Sequence, residues 1–403
     1  MLRVVRKEIE RHFYDSTYKG INLDTLFAEA ARTIDGVKSN NELFTVIAGV
    51  MDEFQESGTY FIPPERIASV DYGWRYLMVG DSCYVTAVKP GSDAERNGLR
   101  AGDRLLAIGR EVPSRSNDHT IRVLLNILNP QRGIRITVRT EGDHPREVVA
   151  LAEIRTRKKV LDLSLELGDI DFWDDMRESE EQSFLIRNRN WGLGDSIHVW
   201  KIASLKIDVD DVENEIDQAE GKKALILDFR GCSSGYPKTL DYLIGCLFDH
   251  SVNVGHFETR GGRKDWMVDV SPRAHFKGLL VIIQDSRTSG AAEVLARLVQ
   301  LEHRGIVIGD KSRGAVGKGQ LIEHDVGTGN SVFYWIGVTT ERVLMADGGN
   351  LEGAGVQPDE LVLPRASDIA EGRDPILSYA AWLVGSQLSP EEAGKLFPTE
   401  WMK

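Results

Sequence analysis

The chain is poor in cysteine and has no long apolar segment. Cys83, Cys232 and Cys246 are an odd number and share no metal-ligand spacing, so they indicate neither a disulfide framework nor a metal site. No apolar run reaches the roughly 18 residues that a membrane-spanning helix needs. The 49 lysine and arginine residues are outnumbered by 62 acidic residues, for a net charge of −13, which argues against an extended nucleic-acid surface. We expect no metal and no organic cofactor.

The length of the chain indicates how many domains it forms, and its first residues bear on whether it is exported. A chain of 403 residues with 41% hydrophobic residues is expected to form two to four domains. The opening MLRVVRKEIERHFYD is charged and helical in pattern, which is not typical of a signal peptide. The compartment stays open, because Met1 is either a genuine start or a boundary placed after an export signal.

Residues 1–196 divide into three predicted parts. Residues 1–66 show helical periodicity and are expected to form a helical cap that ends at Pro63-Pro64, with Ser39 as a helix start signal. Residues 67–155 change to short strands, with one short helix at 93–97. Residues 156–196 contain an acidic run without the spacing of a calcium loop, so a solvated linker or hairpin is expected.

The second half of the chain alternates strands and helices. Residues 224–228 and 278–283 are continuous apolar runs, as expected for strands that are buried on both faces of a sheet. The pattern over 197–366 therefore predicts an α/β sheet whose carboxyl strand ends line a crevice. Residues 367–403 are expected to form a helical tail.

Four segments of this half resemble a known family. They are LILDFRGCSSG (225–235), SRTSGAAEV (286–294), GDKSRGAVGKG (309–319) and EGAGVQPDE (352–360). Together they resemble the C-terminal processing peptidases, or tail-specific proteases, whose relatives include the tricorn core protease and the interphotoreceptor retinoid-binding proteins. The resemblance implies an α/β crotonase-like protease core, an inserted PDZ-like domain and helical segments at both termini. Family members are usually exported to a periplasmic or extracellular location, but no signal peptide is recognisable here, so the location stays unknown.

The pattern Ser-x-Ala-x-x-x-Gly-Leu-x-x-Gly-Asp, from Ser92 to Asp103, resembles the PDZ domain. PDZ domains bind a peptide's C-terminus as an added strand and hold its carboxylate in backbone N–H groups. The resemblance places this carboxylate loop at Tyr72, Gly73, Trp74 and Arg75. The alternative is a module that only supports its neighbour.

The resemblance implies a nucleophile turn and an oxyanion hole. Alignment of Ala291 and Glu293 with the family pattern puts Gly290 at the nucleophile position, with Ser289 one residue early. Glycine has no side-chain oxygen that could act as a nucleophile, so Ser289 is the candidate nucleophile. The alternative is that the Ser289 hydroxyl only caps the following helix. The backbone N–H groups of Gly235 and Ala291 are the candidate oxyanion donors.

The base is also in question. The tricorn-like branch uses a histidine held by serine and glutamate. Here Gly58 stands at the histidine position, and Ser57 and Glu352 are the residues that would hold the histidine. The bacterial branch uses a lysine, for which Lys318 is the candidate. Lys318 stands three residues past the position that the family spacing implies, which is taken by Ala315.

Two functions therefore stay open. The first is a serine endopeptidase that receives C-terminal or unfolded polypeptide segments through the PDZ-like domain and cleaves them with Ser289 and Lys318. The second is an inactive pseudoprotease that only binds a polypeptide or an apolar ligand. The oligomeric state is not indicated.

Overall fold

The computed structural model describes residues 1–64, 68–156, 187–273, 275–327 and 332–401. Most of the acidic segment predicted at 156–196 lies outside the described residues; within them, its last part holds strand β9. Within these ranges, no helix combines the length and the apolar character that a membrane crossing requires.

The described residues contain helices at both termini and between the strands. The helices are α1 (Leu2–His12), α2 (Leu23–Ile34), α3 (Asn40–Asp52), α4 (Asp93–Arg96), α5 (Asp118–Val123), α6 (Val209–Ala219), α7 (Pro237–Leu247), α8 (Ala291–Leu301), α9 (Ala366–Glu371), α10 (Pro375–Leu383) and α11 (Pro390–Leu396). A 3₁₀ turn covers Tyr18–Gly20, and a π turn, Leu124–Leu128, continues α5.

The strands form four sheets among these residues. They are β1 (Tyr60–Ile62), β2 (Ala68–Asp71), β3 (Trp74–Val79), β4 (Ser82–Val88), β5 (Arg104–Ile108), β6 (Gly133–Arg139), β7 (Arg146–Leu151), β8 (Glu153–Thr156), β9 (Arg189–Leu193), β10 (Ile197–Lys201), β11 (Ala224–Asp228), β12 (Val252–Thr259), β13 (Gly262–Val268), β14 (Leu279–Gln284), β15 (Ile306–Gly309), β16 (Lys318–Val326), β17 (Val332–Met345) and β18 (Glu360–Leu361).

The N-terminal segment is helical only up to Asp52. The Ser39 Oγ accepts a hydrogen bond from the Glu42 N–H and so caps α3, as the sequence predicts. Residues 60–62 instead form β1, which pairs antiparallel with β17. The aromatic residues Tyr60 and Phe61 favour a strand, and the two prolines that follow end it. This segment therefore contributes to a sheet of the core as well as covering it.

Residues 68–156 form a small β domain. Its sheet has the order β3-β4-β5-β6-β7, and β2 pairs with β8 where the chain enters and leaves. The predicted short helix is present as α4, capped by Ser92. Strand β3 lies at one edge of the sheet, which is the kind of edge that accepts an added strand.

The largest sheet places the candidate site. Its order is β18-β15-β14-β11-β10-β9, and all neighbours are parallel except β9. Alternate residues of β11 pack towards different helices: Leu225 and Leu227 towards α6–α8, and Ala224 and Ile226 towards α10 and α11. This burial on both faces explains the continuous apolar runs, and the carboxyl ends of β11 and β14 lie side by side.

A second, antiparallel sheet was not predicted. Strands β1, β17, β12 and β13 follow one another, and β16 pairs with β17. The sequence of β13 and of most of β16 is polar and exposed, so it lacks the apolar signal by which the strands of the parallel sheet were recognised. This sheet forms one wall of the groove described below.

The β domain is fixed to the core by a polar junction. Arg115 donates from Nη2 to the Asp310 Oδ1 at 2.5 Å, from Nη1 to the Lys311 carbonyl and from Nε to the Gly80 carbonyl. The other oxygen of Asp310 accepts the Gly80 N–H at 2.8 Å. One arginine and one largely buried carboxylate therefore join two domains.

Replacement of Arg115 tests this junction. Arg115→Ala is expected to lower the free energy of unfolding by about 2 kcal/mol or more, because it leaves the Asp310 carboxylate short of its cationic partner. Urea unfolding followed by tryptophan fluorescence measures the change. The matched control is Arg135→Ala in the same domain, whose ion pair with Glu147 is well exposed and whose loss should have little effect. Equal effects of the two substitutions would contradict the assignment.

Candidate active site and groove

Two turns at the carboxyl ends of neighbouring strands meet at one groove. The turn after β11 contains Ser233 and Gly235, and the turn after β14 leads through Gly290 into α8. The turns are so close that a Cβ added to Gly235 would lie 2.8 Å from the Ala291 Cβ. A cavity of about 670 Å³ opens beside them, and Gly58 and Lys318 also line it. The structure therefore brings most of the predicted site residues to one place.

Gly290 is the N-cap of α8 and faces this groove. Its φ of +64° lies in the left-handed region that side chains avoid. A Cβ at this position would nevertheless have room, because its nearest neighbours would be the carbonyl oxygens of Ser233 and Ala315, at 3.8 and 3.9 Å. The position is thus open towards the groove but strained for any residue other than glycine.

Ser289 is not presented to the groove. Its side chain is buried, and its Oγ makes no hydrogen bond within the described part of the chain. Its backbone N–H donates to the Cys232 carbonyl at 2.9 Å, which fixes the residue in the turn. It does not cap α8, because the cap position is Gly290. Nothing in this geometry would activate the Ser289 hydroxyl as a nucleophile.

The proposed oxyanion donors are positioned side by side. In the described ranges, the backbone N–H groups of Gly235 and Ala291 have no protein acceptor, whereas the Gly290 N–H donates to the Ala315 carbonyl at 2.8 Å. Gly235 and Ala291 both line the groove. An unengaged N–H group at the start of α8, with a second one on the adjacent turn, is suited to hold a carbonyl or carboxylate oxygen.

Gly58 packs closely against its neighbours, so a histidine at this position would crowd them. A Cβ at this position would lie 2.9 Å from the Thr339 Oγ1 and 3.1 Å from the Gly317 carbonyl oxygen. The backbone here has an ordinary conformation, so the obstacle is lack of space. The start of β16 and strand β17 therefore fill the volume in which a side chain on residue 58 would begin.

Ser57 and Glu352 come together although they are 295 residues apart in sequence. The Ser57 N–H and Oγ donate to the two carboxylate oxygens of Glu352 at 2.6 and 3.0 Å. The same carboxylate accepts the Val316 and Gly317 N–H groups, each at 2.7 Å. The pair that would orient a histidine is thus present, and backbone donors stabilise it without one.

Lys318 lines the groove but is engaged elsewhere. Its Nζ forms an ion pair with the Glu341 Oε2 at 2.7 Å and lies 4.8 Å from the centre of the Phe257 ring. Both contacts hold the amine at the side of the groove formed by β12 and β17. The structure does not bring this amine into hydrogen bonding with Ser289.

Glu293 is an organising residue that was not selected as a site residue from the sequence. Its fully buried carboxylate accepts the Gly290, Gly314 and Ala315 N–H groups and the Ser312 hydroxyl. Burial raises the pKa of Glu293 to about 7. The signal available in the sequence was a glutamate three residues after the turn glycine, which is the capping-box position.

The predicted carboxylate loop of the β domain is already hydrogen-bonded. The Gly73 N–H donates to the Asp71 carboxylate at 2.9 Å, and Asp71 pairs with Lys89. The Tyr72 hydroxyl contacts the Gln131 backbone, and Trp74 is buried against Tyr76. Arg75 lies over the Trp401 ring. In this arrangement a peptide carboxylate at Gly73 would meet the Asp71 carboxylate.

The edge of β3 is also engaged. The Tyr76 carbonyl accepts hydrogen bonds from Arg122 at 3.1 Å and Arg287 at 2.7 Å, and the Met78 carbonyl accepts the Ser286 hydroxyl at 2.6 Å. Ser286 and Arg287 belong to the turn that leads to Gly290. A peptide that adds along this edge must therefore displace side chains of the turn after β14.

Comparison with known proteins identifies two parts of the chain. Residues 196–362 match the model of peptidase family S41, and residues 84–139 match the model of a PDZ domain. A search of curated proteins finds no match. The resemblance to the processing peptidases and the expected fold class, a protease-like α/β core with a PDZ domain and terminal helices, are confirmed.

Solved structures support the same fold. Mature CPAF in complex with lactacystin is similar with a TM-score of 0.66 at 12% identity, over 92% of this chain and 94% of that one. The photosystem II D1 C-terminal processing protease is similar with a TM-score of 0.51 at 16% identity, over 97% and 98%. The tricorn protease is similar with a TM-score of 0.51 at 15% identity, over 95% of this chain and 36% of that one. At these identities the likeness concerns the fold alone.

The raised pKa of Glu293 predicts a pH dependence of stability. Between the ordinary value of 4.5 and about 7, the folded protein keeps a proton that the unfolded chain has lost. Stability therefore falls as the pH rises through this window, by about 3 kcal/mol for this group. Urea unfolding at several pH values should show this loss in the wild type and a smaller loss in Glu293→Gln, which has no carboxyl proton.

The matched control is Glu147→Gln, at an exposed carboxylate of the β domain. Its unfolding free energy should follow the wild-type dependence on pH. Parallel curves for the wild type and Glu293→Gln would show that Glu293 does not titrate in this window.

Proposed function

We propose that this protein is a pseudoprotease of the processing-peptidase type, which binds unfolded or C-terminal polypeptide segments in the groove without cleaving them. The observation that carries the proposal is Gly290, which provides no nucleophile at the turn after β14, where the groove and the candidate oxyanion donor Ala291 lie. The packing around Gly58 supports it, because a histidine base there would require Thr339 and the backbone of residues 317–319 to shift.

The walls of the groove are suited to an extended chain. Strand β13 is an edge strand of its sheet, and its residues 264–267 line the groove. Edge strands bind polypeptides through backbone hydrogen bonds. Beside it, the Phe257 and Trp266 rings stack with their centres 4.9 Å apart and offer an apolar surface. The Gly235 and Ala291 N–H groups would then receive a carbonyl of the bound segment rather than an oxyanion.

The second candidate function is peptide hydrolysis. It is favoured by the match to peptidase family S41 and by the intact Ser57–Glu352 pair. In that case Ser289 would be the nucleophile and Lys318 the base. This requires the turn to rearrange so that the Ser289 hydroxyl reaches the groove and Lys318 leaves Glu341.

The proposal predicts no turnover of an unfolded protein. With fluorescently labelled, denatured casein, the wild type should release no more label than a buffer blank, and Ser289→Ala should behave like the wild type. Gly290→Ser should also stay inactive, because the new hydroxyl has no base, and it should lose about 1–3 kcal/mol of stability from its positive φ. The thermal midpoint of each variant, recorded beside the rate, shows that it is folded.

The decisive contradiction would be measurable turnover that disappears in Ser289→Ala. That result would make Ser289 the nucleophile and the protein a peptidase. Turnover in Gly290→Ser but not in the wild type would show that a base is within reach of residue 290.

We also propose that the PDZ domain captures polypeptide C-termini, whose carboxylate displaces Asp71 from the Gly73 N–H and whose backbone displaces the contacts of Ser286 and Arg287. In the full chain, a peptide with a free C-terminus should bind at least tenfold more tightly than its amide, because only the carboxylate accepts charge-assisted hydrogen bonds. Ser286→Ala frees the Met78 carbonyl and should raise the affinity of the acid about fivefold, the equivalent of one hydrogen bond. Fluorescence anisotropy measures both.

Ser251→Ala is a matched control, since the Ser251 hydroxyl bonds the exposed Asp269 away from this edge. It should leave the affinity unchanged. Equal affinities of acid and amide would show that no carboxylate pocket forms.

A further inference from the structure

The groove also contains a half-buried carboxylate, that of Asp241 on α7. Its Oδ1 accepts a hydrogen bond from the indole N–H of Trp266 at 2.9 Å. Trp266 belongs to β13, the edge strand along which an extended chain can add. Asp241 therefore joins α7 to the strand that is suited to bind a polypeptide, and its carboxylate lies beside that strand.

The bond to Trp266 does not account for the charge of Asp241. An indole N–H needs only an acceptor oxygen, which a neutral amide would also provide. In the described part of the chain, no ion pair involves Asp241. Charges that are withdrawn from water are normally paired, because an unpaired one is costly. The charge is thus available to a partner that enters the groove.

The lysines of the groove do not provide this partner. Lys318 forms its ion pair with Glu341 at 2.7 Å. Lys206 and Lys264 also line the groove, but among the described residues neither is ion-paired with Asp241. Burial raises the pKa of Asp241, and the Trp266 N–H and the Lys318 charge offset this only in part. The protein itself therefore leaves this carboxylate short of positive charge.

An aromatic surface adjoins Asp241 in the lining of the groove. Trp266 stacks on Phe257, with the ring centres 4.9 Å apart. The Lys318 Nζ lies 4.8 Å from the centre of the Phe257 ring, so a cation already contacts this surface. Lysine and arginine side chains pack their apolar stems on such surfaces while the charged end reaches a polar partner. This wall therefore offers a surface for the stem of a basic side chain and a carboxylate for its charged end.

We propose that the groove selects polypeptide segments that carry an arginine or a lysine, whose cationic group pairs with the Asp241 carboxylate. This inference rests on the proposed binding of polypeptides in the groove and specifies which side chain the groove prefers. Arginine suits the position best, because its planar guanidinium both donates to carboxylates and stacks on aromatic rings. An acidic side chain at the same place would meet a like charge and is disfavoured.

The experiment uses the full chain and short fluorescein-labelled peptides that are amidated at the C-terminus, so that capture of a free carboxylate by the PDZ domain does not contribute. The peptides share one sequence and differ only at a central residue, which is arginine, norleucine or glutamate. Norleucine provides an apolar stem without a charge. In fluorescence anisotropy, the arginine peptide should bind about fivefold more tightly than the norleucine peptide, and the glutamate peptide more weakly than both.

Substitutions at Asp241 assign the preference to this carboxylate. Asp241→Asn keeps an acceptor for the Trp266 N–H but removes the charge, so it should weaken binding of the arginine peptide about fivefold and abolish its advantage over norleucine. Asp241→Glu keeps the charge and should retain a preference for arginine. The matched control is Asp210→Asn, which removes an exposed carboxylate of α6 and should bind all three peptides like the wild type. Thermal midpoints show that each variant is folded.

Equal affinities of the wild type for the arginine and norleucine peptides would overturn the inference, and this comparison needs no variant. An arginine preference that persists in Asp241→Asn would also overturn it, because another group would then bind the cation. Both results leave the proposed function intact, since the norleucine peptide still binds in the groove. If none of the three peptides binds, the proposed function fails together with the inference.

Discussion

Two carboxylates hold the loop between β15 and β16, and the groove depends on them. The N–H groups of Gly314 and Ala315 donate to Glu293, and those of Val316 and Gly317 donate to Glu352. Four consecutive amides thus end on two acids that come from distant parts of the chain. Successive backbone N–H groups that converge on anions form a rigid arrangement. Because this loop also bonds Gly290 and contacts Gly58, the turn after β14 and the segment before β1 both take their positions from it.

This dependence explains how the site keeps its shape without the residues of catalysis. A catalytic serine or histidine adds chemistry, but the loop needs only the two carboxylates and the backbone. Glu352 has four donors of its own, including both those of Ser57, so a histidine is not required to balance its charge. Glycine at 290 relieves the strain of a positive φ, and glycine at 58 allows β17 to approach closely. Both losses are therefore compatible with a stable fold and an open groove.

The sequence predicted those features that depend on local pattern. Strands β11 and β14 were recognisable because both of their faces are buried, and the turn glycine was found from the register of Ala291 and Glu293. The parts that could not be predicted rest on contacts between distant segments. The local sequence pattern does not indicate such contacts. Examples are the close packing of Gly58 on Thr339, the ion pair of Lys318 with Glu341 and the hydrogen bond of Arg287 to the β domain. The antiparallel sheet was missed because the polar, exposed residues of β13 and β16 show no alternation.

The turn after β11 lies between two cavities. Ser233 lines both the groove and a cavity of about 380 Å³ at the junction with the β domain; of its neighbours in sequence, Gly235 lines the groove and Gly231 lines this cavity. Two hydrogen bonds hold this turn to the segment after β14: the Gly231 N–H donates to the Asp285 carboxylate, and the Cys232 carbonyl accepts the Ser289 N–H. It is thus joined to the turn that carries Gly290 and Arg287. Contacts made in the groove and in this cavity therefore bear on two turns that backbone hydrogen bonds join to each other.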